Sequence, residues 1–179
     1  FDTPALSGSL KATDTIPIIN TAPGGTQRGA TATVAQVLSA GGYLAGGSTR
    51  TLAAADSGST TKLDTLTGSV VTLPAATGSG GKYRFWIKLA TTSVGYSIAT
   101  APTTDIFAGV IYGEDGDGEP ANSWPTAADS NKITLGGTSL ATGGAIGDWI
   151  EVEDVTSGVW AVKGSLTQGG TEATPFSHV

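Results

Sequence analysis

The chain has 179 residues, with nine Lys and Arg against fifteen Asp and Glu, and a formal net charge of −6. The acidic balance argues against nucleic acid as a partner, because phosphate binding needs clustered Lys and Arg. There is no Cys, and the single His, His178, is the penultimate residue. These counts exclude disulfides, thiolate zinc sites and multi-histidine metal sites. No apolar run approaches the roughly 20 residues of a membrane helix, so no membrane partner is expected.

The composition favours short strands over long helices. The chain contains 27 Gly and 8 Pro, and only 13% of its residues are charged. Gly and the β-branched residues are poor helix formers, whereas small residues are frequent in the turns that join short strands. The length suits one domain with extensions. The chain starts at Phe1 and contains no Met, so we expect the native start to lie upstream.

The first 47 residues have no period-two run that predicts paired strands, and we expect them to form an extended N-terminal arm. Residues 15–20 are apolar but interrupted by Pro17, which suits an edge strand or an extended segment. A weak capping box at residues 33–36, followed by Gly41 and Gly42, predicts one short helix over residues 33–40. The apolar residues of this arm are candidates for contacts with other subunits: Ile16, Ile18 and Ile19.

From residue 48 to about residue 168 the pattern is that of a β domain. Residues 82–89 are the clearest strand, because Tyr83, Phe85 and Ile87 alternate with polar residues and Trp86. About eight such short strands, separated by turn residues, predict an all-β fold, an antiparallel sandwich or barrel. Residues 169–179 have no periodicity and are expected to form a C-terminal tail, either disordered or docked elsewhere.

Two predicted strands carry opposite charge on their outward faces. Alternation places Lys82, Arg84, Trp86 and Lys88 outward on residues 82–89, and Trp149, Glu151 and Glu153 outward on residues 149–155. Opposite charges across a strand pair stabilise it by about 0.2–1 kcal/mol each. Exposed aromatic residues are typical of interfaces. We therefore expect the two stripes to meet, within one sheet or across a subunit boundary; two separate solvated faces are the alternative. The candidate interface residues here are Arg84, Trp86, Trp149, Glu151 and Glu153.

The sequence contains no pattern that supports catalysis, a cofactor or a metal. Residues 113–120 hold four carboxylates, but an EF-hand loop starting at Asp115 would need Gly and Glu where the chain has Pro120 and Thr126. A solvated acidic turn is the better interpretation, and a looser cation site is the alternative. Residues 78–82 resemble a phosphate loop only superficially, because they precede a strand and not a helix. We expect no enzyme activity.

Two stretches of the β domain resemble bacteriophage virion proteins, in particular capsid decoration (cement) proteins and related head-fibre and tail-appendage modules. The opening stretch follows the pattern xLD…G…VTLPA…GxxYxFxV, and the closing stretch follows GDxVExxxxxxGxWxVxG. The residues at these positions are Asp64, residues 71–74, Tyr83, Phe85, Gly147, Asp148, Glu151, Trp160 and Gly164. The arm also resembles short segments that begin many phage structural proteins.

The resemblance implies a structural virion protein on the outer surface of a phage capsid. Its expected partners are the major capsid protein and further copies of itself in a homotrimer, and its arm is expected to grip neighbouring subunits. Such a protein stabilises contacts between capsomers. The alternative is a receptor- or glycan-binding head-fibre or tail module, which would use Trp86, Trp124 or Trp149 as stacking surfaces beside residues 114–119.

Overall fold

A computed structural model describes residues 15–21, 27–33, 42–118 and 120–179. The chain divides into two units, Phe1–Ala40 and Gly41–Val179. In the first unit, β1 (Thr15–Thr21) and β2 (Gln27–Thr33) form an antiparallel pair with Thr15 opposite Thr33. The expectation that the arm has no paired strands is therefore corrected, and the β-branched residues of both segments fit strands. Apart from Thr33, the helix predicted over residues 33–40 lies outside the described residues.

The second unit, called the β domain below, contains twelve strands and a 3₁₀ turn at Ala54–Asp56 over residues 42–118 and 120–179. The strands are β3 (Tyr43–Ala45), β4 (Thr49–Thr51), β5 (Thr60–Leu63), β6 (Val70–Thr72), β7 (Lys82–Ile87), β8 (Tyr96–Ala99), β9 (Ile106–Asp115), β10 (Asn122–Pro125), β11 (Lys132–Leu135), β12 (Trp149–Thr156), β13 (Val159–Gln168) and β14 (Phe176–Ser177). The larger sheet has the order β10-β9-β13-β12-β7-β5-β3, and the smaller sheet has the order β14-β11-β8-β6-β4.

Buried side chains of both sheets form one hydrophobic core, and the predicted all-β sandwich is confirmed. On β7, Tyr83, Phe85 and Ile87 are buried while the residues between them are exposed. The smaller sheet contributes Val71, Ile98 and Ile133. Trp160 is also buried, as expected from its place beside Val162, and its ring meets Tyr83 edge-on at a centroid distance of 5.6 Å.

The pairing within the sheets is mixed, whereas the sequence predicts antiparallel strands. Five of the ten pairings in the two sheets are parallel. One of these joins β9 and β13; the other four arise because the chain from β3 to β9 crosses to the opposite sheet after every strand. Strands two apart in sequence thus become neighbours with the same direction, as in β3, β5 and β7. The hairpin of β12 and β13 remains antiparallel, as predicted.

Both boundaries of the β domain differ from those drawn on the sequence. The domain begins near Gly41, because Tyr43–Ala45 pairs with Thr60–Lys62 at the edge of the larger sheet. At the other end, the C-terminal residues belong to the domain. Phe176 is buried and lies opposite Ile133 in the smaller sheet, and the Asn131 side chain hydrogen-bonds both the backbone N–H and the carbonyl of Val179.

Candidate interaction surface

The solvent-facing side of the larger sheet brings together most of the residues that the sequence singles out. Strand alternation and register place its members on one surface, which we call the outer face. Its members are Tyr43, Lys62, Lys82, Arg84, Trp86, Tyr112, Trp149, Glu151, Glu153 and Lys163. Side chains that lie opposite each other on neighbouring strands are close enough to interact. The outer face is therefore one continuous surface.

The two stripes of opposite charge lie on adjacent strands of one sheet. In the antiparallel pairing of β7 with β12, Trp149 lies opposite Trp86, Glu151 opposite Arg84 and Glu153 opposite Lys82. The prediction that the stripes meet within one sheet is thus confirmed. This neighbourhood was predictable from the sequence, because period-two alternation shows which residues face outward and opposite charge indicates which two strands are neighbours.

The ion pairs on and beside the outer face differ in part from the pairs that the register of β7 with β12 predicts, because Glu151 also lies opposite Lys163 in the register of β12 with β13. The Nζ atom of Lys82 lies 3.1 Å from a carboxylate oxygen of Glu153, as the pairing predicts. Glu151 instead pairs with Lys163 of β13, at 2.9 Å, and this hydrogen bond raises the pKa of the Lys163 amine. Lys88 pairs with Asp64, at 3.6 Å. These pairs are largely exposed, so each contributes little to stability.

Cations cover two of the aromatic rings. The Arg84 guanidinium lies 4.9 Å from the centroid of the Trp149 ring. The Nζ atom of Lys62 lies 4.2 Å from the centroid of the Tyr43 ring. Such contacts contribute about 0.5–1 kcal/mol at exposed positions. Arg84 and Lys62 therefore each contact an aromatic side chain of a neighbouring strand.

Trp86 and Tyr112 are the outer-face aromatics without a cation over the ring among the described residues. Trp86 is 37% exposed and Tyr112 is 61% exposed. They lie on either side of Trp149 in one row across the sheet, with Ser165 between Trp149 and Tyr112. An exposed aromatic row flanked by charges is typical of a protein contact surface.

Some predicted site residues lie elsewhere. Ile16, Ile18 and Ile19 are in β1, and their side chains lie outside the described residues. Trp124, a candidate for ligand stacking, packs against the core and donates its indole N–H to the side-chain oxygen of Gln168, at 2.6 Å. It is therefore only partly exposed, and its N–H is already engaged.

Four outer-face residues lie outside the two stripes predicted from the sequence: Tyr43, Lys62, Tyr112 and Lys163. The outward position of Lys163 could have been predicted, because it follows the alternating buried residues Trp160 and Val162. Tyr112 ends the mostly apolar run of residues 106–112, which has no clear alternation and so does not define an outward face. Tyr43 lies in a strand of three residues, too short for a periodic signal.

The acidic segment at residues 113–118 stabilises its own turn. Asp115 accepts hydrogen bonds from the backbone N–H groups of Asp117 and Gly118, and Asp117 accepts one from Gly170 at 2.7 Å. Among the described residues, no group of three or more His, Cys, Asp or Glu side chains is arranged to hold a metal ion. Asp115 thus caps the turn, an arrangement common for Asp in loops, and Asp117 joins the turn to the loop that contains Gly170.

No family model matches this sequence, and neither the curated proteins nor the solved structures give a match. Within the described part of the chain, no helix has the length and apolar character needed to cross a membrane.

Charge reversal tests the pairing on the outer face. Lys82→Glu and Glu153→Lys are each expected to destabilise the domain slightly, and the double variant to recover about 0.2–1 kcal/mol of coupling energy. Arg84→Glu combined with Glu151→Arg should recover less, because the new arginine would face Lys163 and Trp149 would lose its cation. Urea denaturation of the two double-mutant cycles measures both values, and equal recovery would contradict the observed partners.

Proposed function

We propose that this chain is a structural protein of a bacteriophage virion that binds the outer surface of the capsid as a homotrimer. It stabilises contacts between capsomers of the major capsid protein. The observation that carries this proposal is the outer face, a sheet surface in which Trp86, Trp149 and Tyr112 lie among paired charges. Such a surface is suited to a protein partner rather than to a small substrate.

The separate N-terminal unit fits the same role. It contains a two-stranded hairpin and divides from the β domain at Ala40–Gly41. A protein that binds a capsid through both an arm and a sheet surface binds more tightly than through either alone, because the second contact forms at a high effective concentration once the first is made. This division also agrees with the resemblance of both regions to phage structural proteins.

A co-sedimentation assay with capsids that lack their outer proteins tests the proposal. The wild-type chain should bind at a fixed number of copies per capsid, and Trp86→Ala should weaken binding by at least about tenfold, as expected for a hot-spot aromatic residue. Lys88→Ala is the control, at the position directly after β7, and it should bind almost normally because the ion pair of Lys88 with Asp64 is exposed.

A chain without residues 1–30 should remain folded and lose most capsid binding. Absence of wild-type binding to any capsid of its own phage would refute the proposal.

A receptor- or glycan-binding module is the second candidate, favoured by the uncovered rings of Trp86 and Tyr112. Sugar rings stack on exposed aromatic faces. Because cations lie over the rings of Trp149 and Tyr43, only Trp86 and Tyr112 of the outer-face aromatics have a ring available for such stacking. Binding of the chain to host-cell surfaces or glycans, lost in Trp86→Ala and accompanied by only a few copies per virion, would favour this function.

A further inference from the structure

Charges of opposite sign are separated across the larger sheet. Toward one edge, β7, β5 and β3 contain Lys62, Lys82 and Arg84 and no Asp or Glu. At the other edge, β9 and β10 contain Glu114 and Asp115 and no Lys or Arg. We call β3, β5 and β7 the basic side of the domain, and β9, β10 and the turn up to residue 118 the acidic side.

On the basic side, two cations form no ion pair among the described residues. These cations are Lys62 and Arg84, and each lies over an aromatic ring instead. A ring contacts the flat face of a guanidinium and leaves its N–H edge free to bind a carboxylate. A concavity of about 150 Å³ lies at this position, and it is lined by Tyr43, Thr60, Arg84 and Trp86. The basic side is therefore suited to an acidic partner.

On the acidic side, the fold brings carboxylates from two segments together. Residues 106–131 contain five Asp and Glu and no Lys or Arg, and among them Glu114 is exposed on β9. Glu172 comes from a different segment, and its side chain accepts a hydrogen bond from the side-chain amide of Asn122 on β10. The acidic side thus presents concentrated negative charge, which attracts a surface of positive charge.

We propose that copies of this chain associate side by side, with the acidic side of one copy against the basic side of the next. Both complementary surfaces belong to the same chain, so charge complementarity identifies a second copy as the partner. A two-fold symmetric contact through either side alone would place like charges against each other. The contact is therefore heterologous, which means that one surface meets a different surface of the neighbouring copy.

The positions of the two sides agree with a ring of copies. The outermost strands of the larger sheet, β3 and β10, each pair with a single neighbour. On the solvent-facing side of the sheet, one row runs from Lys62 through Trp86 and Trp149 to Tyr112, and Glu114 is the next outward residue of β9. A heterologous contact closes into a ring when the rotation between copies allows it. Rotation about the normal to the sheet places copies edge to edge and directs every outer face the same way, as capsid binding requires.

The inference rests on the homo-oligomer of the proposed function and names its contact surfaces. Analytical ultracentrifugation of the full chain, without capsids, tests it. The wild type should sediment as an oligomer. Lys62→Glu and Glu114→Lys should each raise its dissociation constant by at least about tenfold, because each variant places like charges against each other. The double variant of Lys62→Glu with Glu114→Lys restores opposite charge at the contact and should recover most of the wild-type affinity.

Lys132→Glu is the matched control for Lys62→Glu. It changes the net charge by the same amount, but Lys132 lies on β11 of the smaller sheet. Like Lys62, it is partly exposed and forms no ion pair among the described residues. The control should associate almost as the wild type does. All variants should keep the wild-type circular dichroism spectrum. If Lys62→Glu does not, Lys62→Gln removes the charge without reversing it and should raise the dissociation constant by about fivefold.

A wild type that is monomeric at its highest soluble concentration would overturn the inference. Equal weakening by Lys132→Glu and Lys62→Glu would also overturn it, as would a double variant that associates no better than the single ones. Capsid co-sedimentation, measured in parallel, separates the two proposals. A monomer that binds capsids contradicts the inference and leaves the capsid function in place. An oligomer that responds to charge reversal as expected but does not bind capsids contradicts the function and leaves the inference in place. If Lys62→Glu weakens capsid binding and leaves the oligomer unchanged, the basic side binds the capsid protein and the inference is wrong.

Discussion

Replacing Phe85 with alanine is expected to lower the free energy of unfolding by about 3–5 kcal/mol, the usual cost of removing a buried aromatic side chain. Phe85 is fully buried on β7, between Ile150 on β12 and Thr61 on β5, which are also buried. Because β7 has a hydrogen-bonded neighbour on both sides, the sheet cannot close over the cavity. Urea denaturation at neutral pH, analysed as a two-state transition, measures the loss.

Tyr112→Ala provides the control for this prediction. It removes an aromatic side chain from the same sheet, but Tyr112 is 61% exposed on the outer face. Its loss should change the free energy of unfolding by no more than about 0.5 kcal/mol. If Phe85→Ala costs no more than Tyr112→Ala, the side chain of Phe85 does not occupy the core and the register of β7 is wrong.

The strands that sequence analysis described best are those with one buried and one exposed face. On β7 and β12, period-two alternation correctly placed Phe85 and Ile150 in the core and Arg84 and Glu151 outside. A shift of one residue would move every side chain to the other face, so alternation fixes the register strongly where burial is one-sided. Opposite charge then identified the two strands as neighbours.

The direction of most of the other strands could not be predicted in this way. Alternation is the same in parallel and antiparallel strands, so it carries no information on which strand lies beside which. The chain crosses between the sheets from β3 to β9 through loops that are short and rich in Gly and Thr. Loops of this length and composition can join two strands in many arrangements, so they do not indicate which sheet the next strand enters. The parallel pairs therefore become visible only in three dimensions.

The candidate surface was predictable in its centre and not at its margins. The central residues Arg84, Trp86 and Trp149 have clear outward positions on long strands. The cation over each of Trp149 and Tyr43 depends on diagonal neighbours in the folded sheet.

The period-two alternation of β12 places one carboxylate, that of Asp154, on the buried side of the sheet. The inward positions of this strand are Ile150, Val152 and Asp154, and all three are buried. An ionised carboxylate in such a position must be fully hydrogen-bonded, since burial of an unpaired charge is very unfavourable. The structure provides the partners in the turn between β6 and β7, far from Asp154 in sequence.

Asp154 clamps that turn to the end of the sandwich. Its carboxylate accepts hydrogen bonds from the backbone N–H groups of Thr77, Gly78 and Ser79, at 2.6–3.0 Å, and from the hydroxyls of Thr77 and Ser79. Burial alone would raise the pKa of this carboxyl. The hydrogen bonds from Ser79, Gly78 and Thr77 outweigh burial and hold the pKa well below its usual range.

Asp154→Asn is expected to lower the free energy of unfolding by about 3 kcal/mol at pH 7, because hydrogen bonds to a charged acceptor contribute about 1.5–3 kcal/mol each and the amide replaces one acceptor with a donor. Glu153→Gln is the matched control on the adjacent residue. Its carboxylate is exposed and pairs with Lys82, so its replacement should cost under about 1 kcal/mol.

The difference in stability between the wild type and Asp154→Asn should depend on pH in one direction. The pKa of Asp154 is lower in the folded chain than in the unfolded chain, so its stabilisation is complete above the unfolded value of about 4 and declines as pH falls below it. Asp148 acts in the opposite sense, because burial raises its pKa against the hydrogen bonds from Gly144, Thr167 and Ala145. Asp148 is present in both proteins, so its contribution cancels in the difference. Urea denaturation from pH 7 to pH 3 should show this difference constant near neutrality and smaller in acid; a difference that grows as pH falls would contradict the role assigned to Asp154.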